Sequence, residues 1–342
     1  MKRVTLTANG LLLQYKEKGG VYVKKRSKES KDLTREALAR GKKIRIFKDN
    51  LTWMILAFGG MLFTLVFKYW PMYGIVIAFK DYVPRKGIWG SEWVGFKNFE
   101  YFFQSQDATR TIRNTVMYGF GFLIVEIIVG VLIALMLYHL RSKKALNFYQ
   151  TSIMLPRFLS IVIVSYMTYA ILSPSYGVLN QVITALGGDP VAWYNESKWW
   201  PAILTIVHIW MIAGSGSLYY YGALVGIDTD LFEAAELDGA NTLQKCWHIA
   251  IPHLIPVITT LLILGIGRVF SVDMGLFFNI PMDQGALYET TDIIGTYTYR
   301  AMLSGSMERS AAVSLAQSVV GLIMVLMTNG VIRKIDPDNA MF

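Results

Sequence analysis

Two acids and two arginines sit inside long apolar stretches of this 342-residue chain: Glu126, Asp273, Arg157 and Arg268. An ionised group held away from water is costly unless it is paired or hydrated. A guanidinium holds a carboxylate through paired hydrogen bonds, or a hydroxyl through a single one. Glu126 and Arg268 each fall roughly 21 Å from the same end of their apolar segments, at about 1.5 Å of helix rise per residue. Equal depth lets them form an ion pair. The other reading has Arg268 facing open polar space inside the protein.

Other reactive residue types form no catalytic pattern. The histidines, His139, His208, His248 and His253, make no H-E-x-x-H pair. His139 and His208 read as packing or interfacial residues, and no metal site is expected. Ser215 and Ser217 alternate with glycines, but no strand precedes them and no His and Asp match them, so close helix packing is the plainer role. The single Cys246 rules out an internal disulfide framework. No G-x-x-x-x-G-K-[ST] phosphate loop is present, so ATP hydrolysis by this chain is not expected.

The elements that must carry these residues are membrane helices. Hydrophobic residues make up 54% of the chain and charged residues 17%, a membrane-protein balance. Six apolar segments are predicted to span, at about 51–79, 114–140, 148–172, 200–225, 254–278 and 311–332. Irregular backbone cannot face lipid, so each must be helical, and the segments are too long for β-barrel strands. The first is long enough to tilt, bend at Pro71 or project from the membrane. Residues 1–48 form a basic tail with 15 Lys/Arg against four Asp/Glu, expected to be solvated and partly helical near 33–40. Such a tail suits anionic lipid head groups better than nucleic acid. It is too long for a signal-peptide leader, so no cleavable signal is expected. By the positive-inside rule, one side carries 21 basic residues and the other nine. Both termini, and the loop between the fourth and fifth spans, are therefore expected in the cytoplasm.

That loop contains EAAELDGANTLQKCWHIAIPHLIP, residues 233–256. Residues 233–240 are good helix formers, with Asp230 as the expected N-cap and Gly239 at the turn. Pro252 and Pro256 are expected to break the chain before it re-enters the membrane. The spacing E-A-A, three residues, G, then I-x-L-P about nine residues on resembles the EAA signature of binding-protein-dependent ABC importer permeases. Glu233, Ala234, Ala235, Asp238, Gly239 and Ala240 match, followed by Ile249 and Pro252, and Ile251 takes the Leu position. The pieces FKYWPMYGIVIAFKDY, IMLPRFLS and TTDIIGTYTYRAML further resemble the carbohydrate-uptake, oligosaccharide and aldouronate type.

The resemblance implies an all-α integral membrane protein with the type I importer permease fold. It divides the chain into a tail (1–48), a first span with its loop (49–110), a five-helix core (111–334) and a short cytoplasmic end (335–342). It implies no cofactor on this chain. Its partners would be a second permease, two ATPase subunits that use ATP and Mg, and an extracytoplasmic solute-binding protein. The setting would be a bacterial plasma membrane. The 233–240 residues would form the helix that couples to the ATPase. Aligned through the same stretch, Arg268 and Ser215 fall where maltose-type permeases contact sugar. Gly265, Val269, Val272 and Ile212 differ there from a maltose site, so another sugar or a uronate is expected. Trp210, Tyr219 and Phe270 are candidates for stacking on a sugar ring, with ordinary packing as the alternative, and Glu126 is a further substrate-path candidate. The competing reading is a non-ABC membrane protein, either a secondary transporter or a membrane-embedded enzyme or scaffold, on a permease-like core.

Overall fold

A computed structural model describes residues 3–5, 12–17, 20–23 and 50–335. They fall into two compact units, within 1–73 and 74–342. In the first unit, β1 (Arg3–Thr5), β2 (Leu12–Glu17) and β3 (Gly20–Val23) form an antiparallel sheet in the order β1-β2-β3. The register pairs Arg3 with Gln14 and Glu17 with Gly20. The sequence reading assigned no strand here; the Leu, Tyr and Val content supplies the β preference. The helix expected near 33–40 lies outside the described residues.

Helix α1 (Leu51–Thr64) continues as a widened turn at Leu65–Tyr69 and a tightened one at Trp70–Phe79. Pro71 has no N–H to give, and the changes of pitch on either side accommodate its ring.

The second unit is built on two long helices, α2 (Gln106–Tyr138) and, later in the chain, α5 (Trp200–Val225). Ser105 caps α2 by accepting from Ala108 N. The two helices approach closely at Gly130, where a side chain would collide with the Tyr220 ring. On α2, Ile124, Ile128, Leu132 and Met136 recur every fourth residue and stay exposed. An outward apolar stripe of this kind is at home in lipid.

Between these helices lies the expected third span, which is not one helix. Helix α3 (Lys143–Met154) runs into a tight turn at Leu155–Phe158, and α4 (Ile161–Leu172) then departs at 97°. Pro156 and the extended Leu159 end the first half, and Ser160 caps the second. Among the described residues five helices are long and apolar enough to cross a membrane, or six if this bent pair is one span.

After α5 come α6 (Thr229–Leu237) and a helical run from Thr242 that ends in α7 (Ile251–Ile266). The break expected at Pro252 and Pro256 does not occur. A widened turn at Cys246–Ala250 precedes Pro252 and takes up its missing donor, so the helix continues through both prolines. The fifth span instead ends early, at Ile266. Residues 267–273 are a non-helical bend, followed by α8 (Met274–Asn279). Asp273 is thus not inside a span helix: its carboxylate caps α8 by accepting from Gly275 N at 2.9 Å. The bend is wedged between α2 and the last long helix, α10 (Met307–Ile335), which follows α9 (Ile294–Leu303). Gly119 meets Val269, and Gly267 meets Val325.

At the end of the molecule where α2 begins, buried Asp292 accepts from Arg110 at 2.7 Å and also pairs with Arg300. Arg300 reaches Asp283 at 2.9 Å, with the Tyr288 ring 4.3 Å from its guanidinium. Burial disfavours the Arg300 charge, and Asp292 more than offsets this, holding its pKa above the usual arginine value. These contacts fasten α2 to α9.

Candidate functional site

Glu126, Arg157, Arg268 and Asp273 converge on one cavity. It measures about 600 Å³, and its walls include Glu126 from α2, Arg157 from the corner of the third span, His208, Ser215 and Tyr219 from α5, and Arg268 and Asp273 from the bend. Each is delivered by a departure from plain helix or by the close α2–α5 pair. A smaller chamber of about 160 Å³ shares Glu126, His208, Arg268 and Asp273.

The pairing differs from the expected one. Glu126 does not bind Arg268; its Oε1 lies 2.7 Å from His208 Nε2. Helix α7 stops before Arg268, so the equal-depth calculation does not apply to it. His208 lies on the helix packed against Glu126 and is held by its stack on Phe122, with centroids 3.9 Å apart and planes 12° apart. With Glu126 on His208 and Asp273 on Gly275 N, both acids are engaged. Arg157 and Arg268 have no ion pair or side-chain hydrogen bond among the described residues.

The remaining candidates divide. Ser215 lines the cavity, but its hydroxyl donates to Ile212 O at 2.9 Å on its own helix. Tyr219 and Ile212 also line it, while Gly265, Val269 and Val272 line the smaller chamber. Trp210 lines neither, because its side of α5 points elsewhere. Phe270 turns away and packs with Phe102, Ala108 and Val313. His208 was read as packing, and its role here was missed. The available signal was that it is the only ionisable side chain besides tyrosines in the fourth apolar segment.

The second site is the loop at the opposite end from Asp292. Asp228, rather than Asp230, caps α6, with its carboxylate accepting from Asp230 N at 3.1 Å. The helix ends in a Schellman turn: Gly239 has φ +83°, Gly239 N donates to Glu236 O, and Ala240 N donates to Ala235 O. Asn241 and Gln244 then form a capping box. Lys245 clamps Glu236 at 2.9 Å, and this hydrogen bond lowers the Glu236 pKa. Phe232 roots the loop against Tyr138. Glu233, Ala234, Asp238 and Gly239 are exposed, and Ala235 and Ala240 are half-buried. Around them Leu237, Leu243 and Trp247 are 90%, 80% and 69% exposed. A cleft of about 330 Å³ opens beside the turn, lined by Ala235, Asp238, Gly239, Ala240 and Lys245 among others. Large apolar side chains are thus held out to solvent on capped turns.

A multi-pass helical bundle with a cavity walled by charged side chains and a capped loop at one end is an arrangement suited to a membrane permease. The chain belongs to the family of binding-protein-dependent transport system inner membrane components, matched over residues 126–338. It is 35% identical to Protein LplB of Bacillus subtilis (strain 168), over 83% of this chain and 89% of that protein. It is 36% identical to the polygalacturonan/rhamnogalacturonan transport system permease protein YteP of the same organism, over 80% and 85%. Among solved structures, a bacterial ABC transporter involved in the import of the acidic polysaccharide alginate superimposes with TM-score 0.77 at 32% identity, over 86% of this chain and 99% of that one. The chain is a sugar-importing ABC permease of a bacterial membrane.

Proposed function

We propose that this permease imports oligosaccharides that carry carboxylates, such as uronate units. The observation that supports this most directly is the pair of unpartnered guanidiniums, Arg157 and Arg268, on the wall of a cavity whose own acids are already engaged. Two free guanidiniums on one cavity wall favour an anionic guest, held in bidentate fashion. The names of YteP and of the alginate importer, both concerned with acidic polysaccharides, point the same way.

In this reading the chain supplies half of a translocation path, with a second, different permease supplying the rest. Two ATPase subunits, using ATP and Mg, dock on the 229–245 loop through Glu233, Asp238 and Gly239. An extracytoplasmic binding protein delivers the sugar at the opposite face, as in the alginate importer solved with a periplasmic protein carrying an alginate pentasaccharide. Both ends of the chain lie in the cytoplasm, the basic tail against lipid head groups. The test is Arg268→Gln and Arg157→Gln in the assembled importer. Each should lower uptake of an acidic oligosaccharide roughly 10- to 100-fold, the loss of one charged hydrogen-bonded contact. Unchanged uptake in both variants would sink the reading.

A further inference from the structure

Glu126 and Arg268 line the same two cavities. Opposite charges on a shared cavity wall attract each other. They nevertheless do not pair. The structure accounts for this through His208. Its Nε2–H donates to Glu126 Oε1 at 2.7 Å. Its ring stacks on Phe122, which lies one turn before Glu126 on α2. The imidazole, reaching over from α5, is thus braced against Phe122 and Glu126 on one face of α2. The other charged groups on the cavity wall are Arg157 and Asp273, and Asp273 is occupied by Gly275 N.

We propose that His208 is a positioning residue: it withholds Glu126 from Arg268 and so keeps that guanidinium open for a substrate carboxylate. This rests on the acidic-substrate reading above. Without the imidazole, Glu126 swings to Arg268 and fills the site from within, so the importer competes with its own side chain for the substrate.

The test uses the complete importer in membrane vesicles, with trigalacturonate uptake measured over a range of concentrations. His208→Leu should assemble and raise KM roughly tenfold, as expected when one charged contact is lost to an internal competitor. His208→Leu combined with Glu126→Gln should bring KM back towards wild type, because a neutral amide does not capture the guanidinium. A merely structural role for His208 would not be rescued in this way. An unchanged KM in His208→Leu, or no recovery in the double variant, overturns the proposal. His208→Gln keeps a donor and is the second variant should His208→Leu not assemble; its KM should stay within roughly threefold of wild type, and a larger rise overturns the proposal. Arg268→Gln in the same assay separates the two ideas. A wild-type KM there removes Arg268 from the substrate site and this proposal with it, and with unchanged uptake in Arg157→Gln it removes the substrate reading too. An impaired Arg268→Gln beside an unimpaired His208→Leu removes only the positioning role.

Discussion

A β-carbon added at Gly119 would lie 2.1 Å from the carbonyl oxygen of Val269. Helix α2 therefore touches the backbone of the 267–273 bend, and that contact sets where Arg268 stands. The obstacle is backbone, so no side-chain rotation relieves it. Gly119→Ala should destabilise the protein by about 1–3 kcal/mol, as overpacking does, and should weaken substrate uptake by shifting the bend. Thermal unfolding of the purified protein in detergent checks the first part. A wild-type transition would mean that the two segments do not approach this closely.

The Gly239 turn separates backbone strain from docking. Its φ of +83° disfavours any side chain, yet a β-carbon there meets nothing within 4 Å. Gly239→Ala should thus cost only about 1 kcal/mol and leave the loop assembled. Gly239→Asp adds a charge to the exposed docking face and should lose sugar-stimulated ATP hydrolysis while the spans stay inserted. Normal stimulation in an intact complex of that variant would count against coupling through this loop.

Cys246 is the single thiol of the chain and sits 3.7 Å from His139 Nε2, at the loop end of the bundle. A membrane-impermeant maleimide should fail to label it in intact cells. It should label it in inside-out vesicles stripped of ATPase subunits. Labelling from outside the cell would reverse the proposed orientation.

Asp292 is 1% exposed and faces both Arg110 and Arg300. Asp292→Ala leaves two guanidiniums without their shared counter-charge, and breaking a buried pair in this way costs about 3–5 kcal/mol. The variant should be recovered from membranes in much lower yield and unfold at lower temperature. Equal yield and stability would show that Asp107 and Asp283 suffice.

Much of this was legible in the residues. Long apolar runs mark α2, α5 and α10 because lipid accepts nothing else, and the E-A-A and Gly239 spacing marks the helix and its turn because a capped turn has a local code. Breaks inside apolar runs were harder to see. Leu155, Phe158 and Leu159 are as apolar as their neighbours, so hydropathy runs through a corner that backbone geometry makes. At Pro252 and Pro256 the error ran the other way: two prolines read as a break, and a widened turn absorbed them. The Glu126–His208 bond joins residues 82 positions apart, and such a contact depends on how two helices rotate against each other, which no short pattern encodes. Trp210 and Phe270 were placed near the cavity by position along the chain, but the faces they occupy turn them away.

The corner at Pro156 also orders the birth of the protein. The helical run Lys143–Phe158 reaches roughly 24 Å and α4 roughly 18 Å, at about 1.5 Å per residue, each short of the roughly 30 Å hydrocarbon core. Neither half is a self-sufficient stop-transfer segment. The corner's seat is Gly214, whose missing side chain admits the backbone of Ile153 and Met154. Gly214 leaves the ribosome some sixty residues after that backbone. The third span must therefore wait, incompletely embedded, until α5 is made, and a nascent chain halted before Gly214 should be the form that quality-control proteases find first.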